Sequence, residues 1–212
     1  MFDLTGKVAL ITGVGSPAGI GFASAKLLAK AGAKIFITST TDRIFEREEH
    51  LKSLFGKDKV YSLAADLTEE DQVLNLSKTI IKKFNKIDIL VNNAGMVQIG
   101  NDQPSKKFIE HSLESWNYGI DINLKSTFLV TRNILPYLKK QKSGRIINIS
   151  SVTGPIVGIS GSTVYGSAKA AMLGLTRSLA IEEGKNGITV NCVGPGWIKT
   201  GSSSEAEITA GK

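Results

Sequence analysis

Six short apolar runs, each followed by a longer helical or loop stretch, leave few folds open to this 212-residue chain. The runs cover residues 7–12, 34–38, 60–64, 87–91, 145–149 and 188–193. Each is nearly continuous in Val, Ile, Leu and Ala, the pattern of strands buried on both faces of a parallel sheet. Helices are expected from the turn after the first run to Lys30, stopped by Gly32, and over 41–55, 69–84, 113–140 and 168–182. Pro136 reads as a kink or break, because proline removes a helix donor and crowds the preceding turn. The segments 96–112 and 152–164 read as loops over the site. Strands alternating with helices predict a doubly wound α/β sheet with helices on both faces. There is no internal repeat or linker, so residues 1–212 read as a single domain.

Ligands of such sheets lie beyond the carboxyl ends of the strands, and here those ends are punctuated. The first runs into Thr12-Gly13-Val14-Gly15-Ser16-Pro17-Ala18-Gly19-Ile20-Gly21. Glycines let the backbone turn tightly and approach a ligand closely, and a helix start attracts pyrophosphate. A glycine turn alone is a weak signal. Asp66 ends the third run, Asn92-Asn93-Ala94-Gly95 the fourth, Ser150-Ser151 the fifth, and Pro195-Gly196 follows the sixth. Five such ends converging on one crevice predict a dinucleotide-binding Rossmann fold.

Tyr165 and Lys169 stand four residues apart, so on a helix they share a face, one turn from each other. A free tyrosine, with a pKa of ~10, is a poor acid-base group at neutral pH. A lysine ammonium beside it stabilises the phenolate and makes the pair a plausible proton donor and acceptor. The bland alternative is a helix-opening tyrosine and a solvated lysine.

The formal net charge is +7, with a pI of about 9.4, which favours acidic partners. Lys139, Lys140, Lys142 and Arg145 form one basic concentration, and Lys82, Lys83 and Lys86 another. Cations near helix C-termini explain both, and no motif or aromatic interleaving points to nucleic acid. Cys192, the sole cysteine, excludes an internal disulfide and reads as a small buried hydrophobe. With His50 and His111 it makes no metal-ligand cluster. No run spans a membrane and the N-terminus has no signal pattern, so the cytoplasm is the expected location.

Taken together, the glycine turn, Asp66, Asn92 to Gly95, Asn123, Ser151, Tyr165/Lys169 and the segment from Asn191 to Thr200 resemble the short-chain dehydrogenase/reductase family, in its Tyr-x-x-x-Lys subgroup. The resemblance implies four catalytic positions. Tyr165 is the general acid or base. Lys169 lowers the Tyr165 pKa and binds the nicotinamide ribose. Ser151 polarises the substrate oxygen, with Ser150 the competing serine. Asn123 supports a proton relay to the lysine. The resemblance also implies cofactor contacts at Gly13, Ser16, Gly19, Ile20, Gly21, Asp66, Leu67, Asn93, Ala94, Gly95, Tyr165, Lys169, Pro195, Gly196, Ile198 and Thr200. Asp66 matches the carboxylate that accepts from the adenine amino group, though it would equally cap the following helix.

The second strand ends at Ser39, where NAD-preferring relatives carry a carboxylate. Hydroxyls there would accept a 2′-phosphate, and Arg43 would pair with it. NADP is favoured over NAD, with Asp42 the residue that argues for NAD. Within the family the likeness is greatest to 3-oxoacyl-acyl-carrier-protein reductases, through residues 144–151 and 187–191. That implies an acyl-carrier-linked substrate and a homo-oligomer, a dimer or tetramer. An acidic carrier suits the net charge, with Lys142 and Lys185 expected near the site mouth. The alternatives are a free small ketone, sugar or alcohol as substrate, and a non-catalytic NADP-binding sensor or assembly subunit. Three departures stand out. The glycine turn holds five residues between Gly13 and Gly19, and the common pattern holds three. The Ser151–Tyr165 interval is one residue longer than in close relatives. The sequence stops after the Thr200 segment in the polar run 201–212, where the family adds a helix and a final strand, so a C-terminal part is expected to be missing.

Overall fold

The computed structural model describes residues 2–96 and 106–200. Within them, β1 (Val8–Thr12), β2 (Lys34–Ser39), β3 (Val60–Ala64), β4 (Ile89–Asn92), β5 (Gly144–Ile149) and β6 (Ile188–Val193) form one parallel sheet. Its order is β3-β2-β1-β4-β5-β6. The connecting helices are α1 (Ile20–Lys30), α2 (Arg43–Phe55), α3 (Glu70–Phe84), α4 (Leu113–Ile120), α5 (Ser126–Gln141) and α6 (Thr163–Gly184). The chain steps outward from β1 to β3, then crosses back to lay β4 on the other side of β1. That reversal leaves a crevice at the carboxyl ends of β1 and β4.

Successive residues of a strand face opposite sides, so each strand feeds two cores. Ala9, Ile11, Ile35, Ile37, Ile89 and Val91 pack with Phe22 and Ala25 of α1 and Ile44 and Leu51 of α2. Leu10, Phe36, Leu90, Ile146 and Val190 pack with Val73, Leu76 and Ile80 of α3 and Val130, Ile134 and Leu138 of α5. The doubly wound fold and all six strands agree with the sequence expectation. The start of the fourth strand moves by two residues and the other strand bounds by no more than one. None of the described helices is long and apolar enough to cross a membrane.

Four expectations need correction. The long helical region is not broken at Pro136, which lies inside α5. Pro136 and Arg132 are both exposed, so water can satisfy the Arg132 carbonyl that the proline leaves unpaired. The irregularity comes earlier, as a π-helical turn over Asp121–Lys125 between α4 and α5. The last helix starts at Thr163, before Tyr165, so that helix is longer than expected and the loop before it shorter. Cys192 is only half-buried, because β6 is the outermost strand of the sheet among the described residues. Lys142 and Lys185 lie just before β5 and β6, at the amino ends of the strands, opposite the crevice. Of the loops expected over the site, 97–105 lies outside the described residues, as does the run 201–212.

Leu90 sits at the centre of the sheet with no exposed surface, whereas Leu74 on α3 is 38% exposed. Leu90→Ala should lower the unfolding free energy by about 2–5 kcal/mol in urea titrations. Leu74→Ala should lower it by less than about 1 kcal/mol.

Candidate active site

The glycine turn is held against the sheet by one threonine and one asparagine. Thr12 Oγ1 accepts from the backbone N–H groups of Asn93 and Ala94, both at 2.9 Å. Asn93 Nδ2 donates back to the carbonyls of Thr12 at 3.0 Å and Gly13 at 3.1 Å. Gly13 has φ +69°, and a Cβ there would lie 2.8 Å from Ala94 Cα, so only glycine allows β1 to turn this close to β4. The two additional residues of the loop are taken up in a turn closed by the Gly19 N–H on the Ser16 carbonyl at 3.2 Å. Thr12 was missed from sequence, although its place just before the glycines was a usable signal.

Two adjoining clefts open at this end of the sheet. One, of about 410 Å³, is lined by Gly13, Ser16, Gly19, Ile20, Ser39, Arg43, Asp66, Leu67, Asn93, Ala94, Gly95 and Thr200. These are most of the expected cofactor contacts. The second, of about 400 Å³, is lined by Asn123, Ser151, Tyr165, Lys169, Pro195, Gly196 and Ile198. The clefts share Ile20, Asn93, Gly95, Met96, Ile122 and Thr200 as a common wall. Gly21 lines neither; it is buried behind the loop, where a Cβ would meet Asn93 Nδ2 at 2.5 Å. Asn191 faces outward from β6, and Asp42 is exposed; neither lines a cleft. The N-cap position of α3 falls on Glu69, three residues after Asp66. Asp66 Oδ1 accepts from Thr68 N at 2.9 Å and Thr68 Oγ1 at 2.8 Å. His111, Thr153, Ile159, Val164 and Trp197, none of them expected individually as site residues, also line the second cleft.

Asn123 lies in the π-helical turn and is 2% exposed. Its Oδ1 accepts from Met96 N at 2.8 Å and its Nδ2 donates to the Gly119 carbonyl at 3.0 Å. It therefore ties the end of the β4 segment to the helix. A Cβ on Gly95 would lie 2.9 Å from Asn123 Oδ1 and 3.3 Å from Lys169 Nζ, which brings those two side chains to the same point.

Ser151 accepts a hydrogen bond from the Thr153 N–H at 3.0 Å. That leaves its own proton free to be donated, and it shares a hydrogen bond with Tyr165. The loop after Ser151 sits directly on the first turn of α6. Gly154 has φ +96°, and a Cβ there would fall 2.1 Å from the Gly166 carbonyl oxygen. Two glycines in contact thus set the Ser151–Tyr165 approach. Ser150 takes a different part: it is buried, and its Oγ donates to the Lys169 carbonyl at 2.8 Å.

Lys169 is 3% exposed and its Nζ donates to the Ile149 carbonyl at 2.9 Å. Burial pushes its pKa down to about 8. The Tyr165 phenol moves the other way from the sequence expectation: burial raises it above its ordinary 10.0, and the Ser151 hydrogen bond draws it partly back. Lys169 Nζ is 5.6 Å from the Tyr165 ring centroid and spends its hydrogen bond on Ile149. Desolvation of the phenol therefore outweighs the ammonium.

The Lys169 pKa has a consequence for stability. The folded chain binds this proton less tightly than the unfolded chain, whose lysine keeps the ordinary 10.5. Below about 8 the cost of burying the cation is fully present; stability then rises with pH between about 8 and 10.5. The rise should be of order 3 kcal/mol. Urea titrations across this range should show it in the parent relative to Lys169→Met, which lacks the proton.

Comparison with known proteins gives a concordant result. Residues 7–210 match the short chain dehydrogenase family model. The Oxidoreductase UcpA of Salmonella typhimurium is 39% identical over 201 residues, covering 94% of this chain and 72% of the relative. A 3-oxoacyl-[acyl-carrier-protein] reductase FabG of Aquifex aeolicus is 40% identical over 198 residues, covering 93% and 76%. A crystal structure of a Sinorhizobium meliloti protein assigned to the short-chain alcohol dehydrogenases superposes with a TM-score of 0.87 at 30% identity, covering 97% of this chain and 77% of the other. On its sequence and on its fold, this chain belongs to the short-chain dehydrogenase family.

Proposed function

We propose that this chain is an NADP-dependent reductase of a carbonyl group, or the dehydrogenase of the corresponding secondary alcohol, with a 3-oxoacyl thioester on an acyl carrier as substrate. The observation that carries the proposal is the meeting of Asn123, Ser151, Tyr165 and Lys169 in one cleft that shares a wall with the dinucleotide crevice. A sensor or assembly subunit would need no such convergence. The Gly13 turn, open to close backbone approach, and the α1 N-terminus fit a dinucleotide pyrophosphate. A bound nicotinamide supplies the hydride.

The remaining steps belong to the chain. Ser151, its hydroxyl held in place by the Thr153 N–H, donates its proton toward the substrate oxygen. Tyr165 stays protonated at neutral pH, since burial raises its pKa, and is thereby a proton donor to the forming alkoxide. Lys169 supplies positive charge beside that proton's departure. Asn123 holds Gly95 and Met96 at the junction of the two clefts.

NADP is preferred because the end of β2 offers Ser39 where a carboxylate would repel a 2′-phosphate. A Cβ on Gly15 would lie 3.2 Å from Arg43 Nη2 and 3.4 Å from Ser39 Oγ, so both groups border the same turn. Asp42, the residue that argued for NAD, stands outside the crevice. The acyl-carrier assignment rests on the reductase relatives at 37–40% identity. It does not draw on Lys142 or Lys185, which lie at the amino ends of β5 and β6, opposite the cleft. A free small ketone is the second reading. A cleft walled by Ile159, Val164, Trp197 and Ile198 favours it.

Oxidation of NADPH and of NADH should be followed with an acetoacetyl thioester and, in parallel, with free ketones. Turnover confined to free ketones selects the second reading. Tyr165→Phe should lower kcat about 10²–10⁴-fold while NADPH still binds; turnover near the parent level would remove Tyr165 from the mechanism. Arg43→Ala should raise the KM for NADPH about 10–100-fold and leave that for NADH nearly unchanged.

A further inference from the structure

Three consecutive residues at the end of β5 each make a buried hydrogen bond to α6. Asn148 Nδ2 donates to Thr176 Oγ1 at 2.9 Å. The Ile149 carbonyl accepts from Lys169 Nζ at 2.9 Å. Ser150 Oγ donates to the Lys169 carbonyl at 2.8 Å. The first of these continues sideways: Asn148 Oδ1 accepts from Asn92 Nδ2 at 2.9 Å, and the same Nδ2 donates to Thr131 Oγ1 of α5, also at 2.9 Å. Asn92, Thr131, Asn148, Ser150 and Thr176 are all buried.

We infer that these bonds form a clasp that aims the Lys169 ammonium, with Asn148, Ser150 and Thr176 as positioning residues for the reaction. The inference rests on the reading of Tyr165 and Lys169 proposed above. The pleat of β5 explains the arrangement. Asn148 is in register with Asn92, on the face of the sheet that α5 and α6 cover. Ile149 overhangs the end of β4, because the β4 pairing stops at Asn92, and its carbonyl meets the lysine. Lys169 is held at both ends, its side chain by Ile149 and its own carbonyl by Ser150. Thr176 lies seven residues on, two turns along α6, and prevents that helix from sliding or turning along the strand. Thr176 Oγ1 donates to the Met172 carbonyl at 2.7 Å, so its remaining capacity is as the acceptor that Asn148 needs.

None of these groups lines the first cleft, and of them only Ile149, Ser150 and Lys169 line the second. Loss of the clasp is therefore expected far more in the rate of the chemical step than in cofactor affinity. A misplacement of order 1 Å at a reacting group costs roughly a hundredfold in rate.

The test uses Thr176→Val, of nearly the same shape, Thr176→Ser, which keeps the hydroxyl, and Ser150→Ala. In the full chain, with the carbonyl substrate that the parent turns over, Thr176→Val and Ser150→Ala should lower kcat at least tenfold. The NADPH dissociation constant should stay within about twofold, and Thr176→Ser should recover most of the rate. Folding is checked by circular dichroism at the assay temperature. NMR titration of lysines labelled with carbon-13 at Cε gives a readout independent of any substrate. Lys169 should titrate near 8 in the parent and move toward the ordinary lysine value in Ser150→Ala, as water reaches the loosened ammonium. Parent-like kcat or an unmoved Lys169 titration in the folded variants overturns the clasp. Failure of the underlying reading is recognised separately, because Tyr165→Phe would then retain its turnover whatever the clasp variants do.

Discussion

Burying one ammonium is the constraint to which the carboxyl end of this sheet answers. Lys169 is almost wholly enclosed, and an isolated cation in such a place would be costly. The chain compensates with geometry. β5 runs one residue beyond its pairing with β4, so that the Ile149 carbonyl is placed to accept from Nζ. Gly95, without a side chain, leaves room for Nζ and for Asn123 to reach the same point. The compensation is incomplete, and the depressed pKa records what remains. A lysine held in this way is not the solvated helix residue that spacing alone would allow. Its proton is held less tightly than that of an exposed lysine.

The same economy of contact joins the two halves of the crevice. Beyond the paired ends of β1 and β4 the chain leaves in opposite directions, because it crosses over between them, and the two connections need a tie. Thr12 and Asn93 supply it, bonding from one to the other in both directions. The tie brings the glycine turn to the edge of Ala94. It also fixes the segment 93–96, which forms the shared wall of both clefts. The two clefts are thus positioned by one short run of residues. A displacement of that run would be felt on both sides.

Much of this was legible in the sequence, and what was not has physical reasons. Strands buried on both faces leave continuous apolar runs, so all six were visible, and strand-end residues such as Gly13, Asp66, Asn93 and Ser151 pointed to the crevice. The π-helical turn at Asp121–Lys125 was not visible, because its composition differs little from that of an α-helix. Pro136 misled, because a proline penalty depends on whether water reaches the carbonyl one turn back, which sequence does not record. Lys142 and Lys185 are close in sequence to strands that end at the cleft, but they stand at the opposite ends of those strands, about 20 Å away for a strand of this length. The direction of the Tyr165 shift also lay beyond the sequence. The lysine partner could be read from spacing, whereas the desolvation that outweighs it belongs to the packed fold.

The adjacent serines show how one strand end can serve two purposes. Ser150 and Ser151 are chemically identical, and each could in principle hold a substrate oxygen. Ser150 follows Asn148 by two residues, so the pleat returns it to the side covered by α6, where it is buried against the Lys169 carbonyl. Ser151 is the first residue free of that alternation. The backbone turns there, Val152 N bonds the Pro195 carbonyl, and Thr153 N–H reaches back to Ser151 Oγ. The hydroxyl is thereby fixed in the cleft beside Tyr165. The difference between the serine buried under α6 and the serine that faces the cleft is a single step of strand geometry. Shifting the end of β5 by one residue would exchange their surroundings and leave Tyr165 facing the wrong hydroxyl.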